Sequence, residues 1–542
     1  MTLFDRILSA RGMSSSERAV FLSPDYEKKH DPFLLPDMAA AVDRLVIAHA
    51  KQEKITIYGD YDIDGLTATT LLIDALKSFG FEHVKAFIPN RFVEGYGLTV
   101  DAIERIAADG AELVITVDCG SLSHKEIARA NELGLDVIVT DHHNVAETPP
   151  PAIATINPKR TDHSYPFIDL AGVGVAFKLV QAMQTKLEGL PKGQEKWLLD
   201  LVALGTVCDV VTLVDENRTN VYWGLKVLSQ TRRPGLKALM AVAGVEPRTV
   251  NARSLGFALG PRMNAAGRLE TAEYALNLLT STDGMAALTI ARQLDEMNKE
   301  RRAEQDKIFK AAMLQAEDYV SDPVLVVSSA GWNHGIVGIV AAKLLEKYKK
   351  PTYVLEEMGD DAKGSARSYG DFSAADAIRA ADDIITKGGG HKLAAGVTLP
   401  TKNIPAFRER VNEFFKQQKL RDQPTLLLPK ADTDADLTEL TEELVEAVRS
   451  LEPFGHGNAQ PILKSDELLV MNSRKMGADS QHVKLTVQSP LGQKIDMIAF
   501  SAPKHFFVEP GEKVNVWYTV EINEWQGRRS VEGSLLHLEL SE

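Results

Sequence analysis

From Lys54 onward the chain alternates short β-branched apolar runs with longer amphipathic stretches. KITIYGD, VKAFIPN, LVITVD and LDVIVTD read as buried strands. LTATTLLIDALKSFG, VDAIERIAADG and HKEIARANELG, which lie between them, carry the helical period. Strands separated by helices of this length imply right-handed crossovers and a parallel sheet covered on both faces. In such sheets ligands bind beyond the carboxyl ends of the strands. PPPAIATINPKR then reads as a surface connection, and the pattern from Leu170 to Val211 is mostly helical.

A long polar helix is predicted between Asp283 and Tyr319, with no Gly or Pro after Gly284; its composition suits a bridge between domains. A second α/β unit follows in PVLVVSS, HGIVGIVAAKLLEKY and PTYVLEE, then GSARSYGDF and GGGHKLAAG. Past a polar boundary between Lys416 and Lys430 the period changes to 2. ELLVMNS, HVKLTVQS, QKIDMIAFS, KVNVWYTVEINEW and RRSVEGSLLHLEL give about five strands, the count of a small Greek-key barrel of the OB type. The expected fold is therefore α/β multidomain. It comprises an N-terminal region (1–50) packed on a parallel-sheet domain (51–282), a connecting helix (283–320), a smaller α/β domain (321–422) and an all-β OB-like barrel (423–542).

Composition changes this picture little. A chain of 542 residues, 44% apolar and 25% charged, is an ordinary globular protein of roughly three or four domains. No uncharged apolar run is long enough to cross a bilayer, and the amino terminus lacks the apolar core of a signal peptide. Two cysteines, Cys119 and Cys208, provide no disulfide framework, so a cytoplasmic setting is expected. Taken by itself, the net charge of −14 is adverse to a nucleic-acid ligand. Bound divalent cations would cancel several of the carboxylates counted in it, however, so net charge does not decide the substrate.

The candidate chemistry lies at the strand ends. YGDYDIDG packs Asp60, Asp62 and Asp64 into one strand-to-helix turn. One Asp there serves as a helix cap; three repel each other unless protons or cations compensate them. Asp118 ends the third strand in VDCGS, and TDHH places Asp141, His142 and His143 at the end of the fourth. Asp209 follows an apolar helix in LGTVCDVV. Asp118 and Asp209 each have an equally good reading as caps when taken alone. At one sheet edge, imidazole with carboxylate suits Mn²⁺, Zn²⁺ or Fe²⁺, while an oxygen-dominated site with one imidazole favours Mn²⁺ or Mg²⁺. An Asp bridging two ions is the recurrent arrangement for phosphoester hydrolysis.

DYDIDG, VDCGS, DHH and Asp209 resemble, in order, the motifs of the DHH phosphoesterase superfamily, and GSARS with GGGHKLAAG resembles its DHHA1 domain. GPRMNAAGRL, GWNHGIVGIVAAKL and LEPFGHGNAQP ahead of a barrel resemble the RecJ family, bacterial 5′→3′ exonucleases specific for single-stranded DNA. The resemblance runs from about Lys54 to the carboxyl end. It implies two divalent ions, Mn²⁺ or Mg²⁺. Asp62 and Asp118 would hold one, and Asp64, Asp118, His142 and Asp209 the other. His143 would act on the phosphate or the attacking water, and Asp60 would support the site. Ser365, Arg367 and His391 would bind phosphate. It further implies hydrolysis to 5′ mononucleotides in DNA repair and recombination by a monomer, with single-strand-binding protein and a helicase as partners.

The residues themselves add to this. Gly388, Gly389 and Gly390 form a glycine-rich turn that would let amides approach an anion beside Arg367, and Arg262 and Arg268 flank Asn264 in a glycine-containing segment that could line the same channel. Trp525, Arg528 and Arg529 are the barrel positions best suited to base stacking and phosphate attraction. Trp332-Asn333-His334-Gly335 departs from the family pattern, in which the imidazole directly follows Trp, so His334 receives no role. Two other readings stay open: a relative acting on short oligonucleotides or cyclic dinucleotides, which would not need the barrel, and a non-catalytic scaffold, which would not need the ligands.

Overall fold

The computed structural model describes the chain except residues 92, 96, 419–423, 526 and 542, with the backbone alone at 424, 425 and 525. The described residues form two compact units, 1–295 with 429–542, and 296–428.

In the first unit a five-stranded sheet is parallel throughout. Its strands are β1 (Ile55–Gly59), β2 (Val84–Phe87), β3 (Leu113–Val117), β4 (Asp136–Thr140) and β5 (Ala154–Ile156), in the order β2-β1-β3-β4-β5. Every residue of β1 and β3 is buried, as expected of strands covered on both faces. The strand order reverses between β1 and β3, the point at which such sheets open a ligand crevice. Asp60 to Asp64 and Asp118 leave the sheet there. The helix Ile63–Ser78 is buried along nearly its whole length, which fixes its first turn, the one carrying Asp64.

The predicted bridge is one helix, Gly284–Glu317, that begins in the first unit and ends in the second. The second unit holds β6 (Leu325–Ala330), β7 (Thr352–Met358), β8 (Asp361–Arg367), β9 (Lys387–Gly390) and β10 (Ala394–Pro400), ordered β6-β7-β8-β10-β9. Only β6 and β7 run parallel; the other neighbours are antiparallel. The barrel comprises β11 (Thr433–Asp434), β12 (Leu463–Met476), β13 (His482–Gln488), β14 (Lys494–Ala499), β15 (Lys513–Trp525) and β16 (Arg528–Leu540), and pairing of β12 with β15 closes it. These are the expected strands plus the short β11.

The amino-terminal region differs from expectation. The helix Leu3–Ala10 buries Leu3, Ile7 and Leu8 in the barrel core beside Leu437, Val445 and Val448. Arg6 forks onto Glu439 at 3.0 and 2.8 Å, and Arg11 reaches Asp432 at 3.1 Å. The parallel-sheet domain receives only the later part, through Tyr26, whose hydroxyl donates to Glu195 at 2.9 Å, and the helix Met38–Lys51. An amphipathic period states that a face will be buried, not against which domain.

Candidate metal centre

Four segments deliver acid or imidazole to the carboxyl edge of the first sheet. Asp62 caps the helix after β1 by accepting from the amide of Gly65 at 3.1 Å, so the capping role holds for one carboxylate of that turn. Asp64 accepts from the amides of Gly172 (2.6 Å) and Val173 (2.8 Å), the first turn of the helix Gly172–Met183. A methyl group on Gly172 would lie 2.8 Å from Asp118 Oδ1, so only glycine lets that helix approach both carboxylates. Asp118 is 1% exposed and adopts φ +61°, a left-handed backbone uncommon outside glycine, which turns its side chain out of the sheet edge.

His142 Nε2 lies 3.0 Å from Asp118 Oδ1, 3.5 Å from Asp209 Oδ2 and 3.8 Å from Asp64 Oδ2. Asp141 accepts from the amides of His142 (2.7 Å), His143 (3.0 Å) and Ser121 (3.0 Å), and its Oδ1 lies 2.9 Å from His143 Nδ1. With a proton on Nδ1, this fixes His143 so that Nε2 faces away from Asp141. Asn157 ties the His143 carbonyl (2.9 Å) to Ser121 Oγ (2.8 Å).

The electrostatics define what the cluster lacks. Burial, then the charge of Asp62, raises the carboxyl of Asp64 to about 7 and that of Asp60 well above the ordinary range. Burial, then Asp64, raises Asp209 to about 9 and Asp118 well up. Burial, then His143, lowers His142 to about 3, so it is a neutral donor. Burial opposes charge on Asp141 and His143 as well, but their mutual bond holds Asp141 well down and His143 up. Asp60 Oδ1, Asp118 Oδ1, His142 Nε2 and Asp209 Oδ2 are buried without a hydrogen-bond partner. Carboxylates that cannot all ionise, facing orphaned lone pairs, fit divalent cations. Among the described residues, three groups have ligand atoms within 4.8 Å of one another: Asp60, Asp62 and Asp118; Asp64, His142 and Asp209; and Asp118, His142 and His143.

Two cations escaped the sequence reading. Arg91 lies 5.1 Å from the ring of Tyr61 and its charge offsets part of the rise at Asp60; Lys159 offsets part of the rise at Asp209. Both follow strand ends, in PNR after β2 and NPK after β5, so the rule that selected the acids could have found them. Arg268, half-buried, acts on Tyr61 too. Arg262 instead pairs with Asp295 at 2.9 Å and donates to the Ala258 carbonyl at 2.8 Å.

In the second unit Ser365 and Arg367 sit at alternate positions of β8. A methyl on Gly338, in the first turn of the helix Val337–Tyr348, would lie 3.3 Å from both Ser365 Oγ and Arg367 Nη2. A hydroxyl, a guanidinium and a helix amino terminus thus share one place, as an anion requires. His391 is exposed at the β9–β10 turn; its amide bonds Ala394, the register partner of Arg367. The glycine run is an edge strand rather than a turn. A Cβ on Gly388 would strike Ile378 at 2.3 Å, so packing explains that glycine. His334 bonds Glu356 at 2.8 Å. On the barrel Arg528 is exposed, while Arg529 pairs with Glu442 (3.4 Å) and Glu446 (3.1 Å); the side chain of Trp525 lies outside the described residues.

A doubly wound sheet with this acidic edge, joined to a smaller mixed-sheet domain, defines a DHH-type phosphoesterase. Residues 54–206 match the DHH family N-terminal domain, 321–417 the DHHA1 domain and 431–537 the RecJ OB domain. The chain belongs to the RecJ family of single-stranded-DNA-specific exonucleases. It is 35% identical to the Dickeya dadantii RecJ over 99% of this chain and 96% of that protein, and 34% identical to the Escherichia coli RecJ over 98% and 94%. Identity to the Bacillus subtilis RecJ is 39%, over 96% of this chain but 66% of that longer protein. The crystal structure of Thermus thermophilus RecJ in complex with Mn²⁺ superimposes with a TM-score of 0.82 at 27% identity, covering 99% of this chain and 78% of that one.

Proposed function

We propose that this chain degrades single-stranded DNA from the 5′ end to 5′ mononucleotides in DNA repair and recombination. The observation that carries the reading is the set of orphaned buried atoms on Asp60, Asp118, His142 and Asp209 at one sheet edge. Asp62 and Asp118, with Asp60 in support, would hold one divalent ion; Asp64, Asp118, His142 and Asp209 would hold the other. Mn²⁺ or Mg²⁺ held by these residues would supply acidification of a bound water and neutralisation of charge developing on the phosphate. The chain's own residues do the rest. Asp141 orients His143, whose raised basicity lets its imidazolium donate a proton or a hydrogen bond to a phosphate oxygen. Asp64 is kept in place by two amides and Asp118 by its left-handed backbone.

Arg268, Ser365, Arg367 and His391 would hold phosphates of the strand, and the barrel would retain it, with Arg528 a better contact than the paired Arg529. Single-strand-binding protein and a helicase would be partners of a cytoplasmic monomer; no helix among the described residues is long and apolar enough to cross a membrane. The intact barrel speaks against a relative restricted to dinucleotides.

End-labelled single-stranded and duplex oligonucleotides tested with Mn²⁺, Mg²⁺ and EDTA decide between these readings. Mononucleotides released from the 5′ end of single strands alone are expected; activity confined to dinucleotides would overturn the proposal. Arg367→Ala is expected to lower kcat/KM on 5′-phosphorylated strands roughly 10–150-fold, equivalent to about 1.5–3 kcal/mol, the worth of a charge-assisted bond. An unchanged kcat/KM would remove Arg367 from the substrate path.

A further inference from the structure

The helix Leu199–Cys208 ends on Asp209, and the next residue, Val210, is 64% exposed with φ +62°. A β-branched residue in the left-handed region is strained and persists only where its surroundings impose it. A distant stretch of sequence packs against the residues that follow Val211 in this turn. The loop Glu452–Asn458, which leads from the helix Glu442–Arg449 into the barrel, lies against Thr212 and Leu213. The Leu213 amide donates to the His456 carbonyl at 2.7 Å. A methyl on Gly455 would lie 2.6 Å from Leu213 Cδ1; one on Gly457, which has φ +72°, would lie 3.1 Å from Thr212 Cβ. The loop is itself tied down by hydrogen bonds. Asn458, 3% exposed, donates to the carbonyls of Leu451 and Pro453, both at 2.9 Å, and accepts from Arg11 at 2.9 Å. Arg218, 2% exposed, donates to the Leu451 carbonyl at 2.8 Å from the helix that follows the turn.

The opposite side of the turn leads to a second acid. Thr212 Oγ1 donates to Asp169 at 3.1 Å, and Asn217 donates to the carbonyls of Asp169 (2.6 Å) and Thr212 (3.0 Å). Three residues beyond Asp169, the amides of Gly172 and Val173 hold Asp64. Asp64 and Asp209 face the same imidazole, so one brace sets the spacing between them.

We infer that the loop Glu452–Asn458 is a strap that positions Asp209, so that the lobe carrying the barrel sets the geometry of one metal site. The inference rests on the reading of Asp209 as a metal ligand. The strap acts through backbone and close packing, so Gly455 and Gly457 are positioning residues, and the exposed side chain of His456 is dispensable.

The test is Mn²⁺ binding to the full chain, titrated by electron paramagnetic resonance, alongside thermal melting. Gly457→Ala is expected to weaken one of two Mn²⁺ ions about tenfold, the usual consequence of disturbing a residue that supports a ligand. Gly457→Asn tolerates the left-handed backbone and keeps the crowding against Thr212, so it separates misplacement from misfolding and should show the same loss. Gly511→Ala carries a backbone cost at least as large, at φ +97°, with open space around it, and should bind both ions as the parent does. His456→Ala should also bind normally. In an Asp209→Asn background Gly457→Ala should cause no further loss. Parental affinity in both Gly457 variants, or equal weakening in Gly511→Ala, would overturn the strap. Asp209→Asn that binds two ions like the parent would instead overturn the ligand reading beneath it.

Discussion

Asp118→Ala is expected to abolish hydrolysis of single-stranded DNA while leaving the fold intact. Asp118 is the one carboxylate that falls in both the Asp60–Asp62 group and the His142–His143 group. Its loss therefore removes charge from both halves of the centre. Several kcal/mol of transition-state stabilisation go with it, and at about 1.4 kcal/mol per tenfold this is on the order of a 10³-fold loss or more. Alanine also removes a residue from a left-handed backbone position, so Asp118→Asn is the sharper variant: it keeps the volume and tolerates the backbone. Both should be inactive on a 5′-labelled oligonucleotide in Mn²⁺. In EDTA the asparagine protein should melt at or above the parental temperature, because it removes an acid whose burial among Asp64, Asp62 and Asp209 costs stability. Activity within tenfold of the parent would exclude Asp118 as the shared ligand.

How much of this was legible beforehand depends on distance along the chain. Strand ends are readable because β1, β3 and β4 are short, mostly apolar and followed directly by acids. The topology then had to bring Asp60 to Asp64, Asp118 and His142 to one edge. Asp209 was harder, being a helix terminus with no strand to place it; the approach of His142 Nε2 to 3.5 Å is a tertiary fact. Arg91 and Lys159 were within reach of the same rule, but lone basic residues after strands read as solvated surface.

What the sequence hid were partnerships across hundreds of residues. The first helix announces an apolar face in Leu3, Ile7 and Leu8, yet nothing local says that its partner is Val445 rather than the neighbouring sheet. The glycines at 388–390 suggested a backbone cradle, and Ile378 gives one of them a packing reason instead. By sequence Arg529 reads as a DNA contact; in the structure it pairs with Glu442 and Glu446, and such exposed pairs contribute little to stability. LEPFGHGNAQP served only as a family mark in the sequence. In the structure its glycines press on the turn that carries Asp209.

Manganese affinity is expected to climb steeply with pH, because metal binding must displace protons that the metal-free centre retains. Asp64 holds its proton up to about 7 and Asp209 up to about 9, against an ordinary value of 3.8; Asp60 and Asp118 are raised as well. His142, lowered to about 3, is already neutral and releases none. Each proton displaced makes affinity rise up to about tenfold per pH unit below the relevant value, so the increase should continue from pH 6 toward pH 9. The sign for stability follows from the same shifts. With these folded-state values raised, the metal-free native state binds more of their protons than the unfolded chain does above about pH 4, and their contribution to stability falls as pH rises through 7 and 9. Bound Mn²⁺ replaces the protons and removes that loss. The difference in melting temperature between Mn²⁺ and EDTA should thus widen from pH 6 to pH 9 at fixed metal concentration. Calorimetric titration at pH 6.5 and 8.5 in buffers of different ionisation enthalpy counts the released protons directly. Binding without proton release, or a melting difference that narrows with rising pH, would mean that the carboxylates are already ionised and that Arg91, Lys159 and His143 suffice to hold their charge without metal.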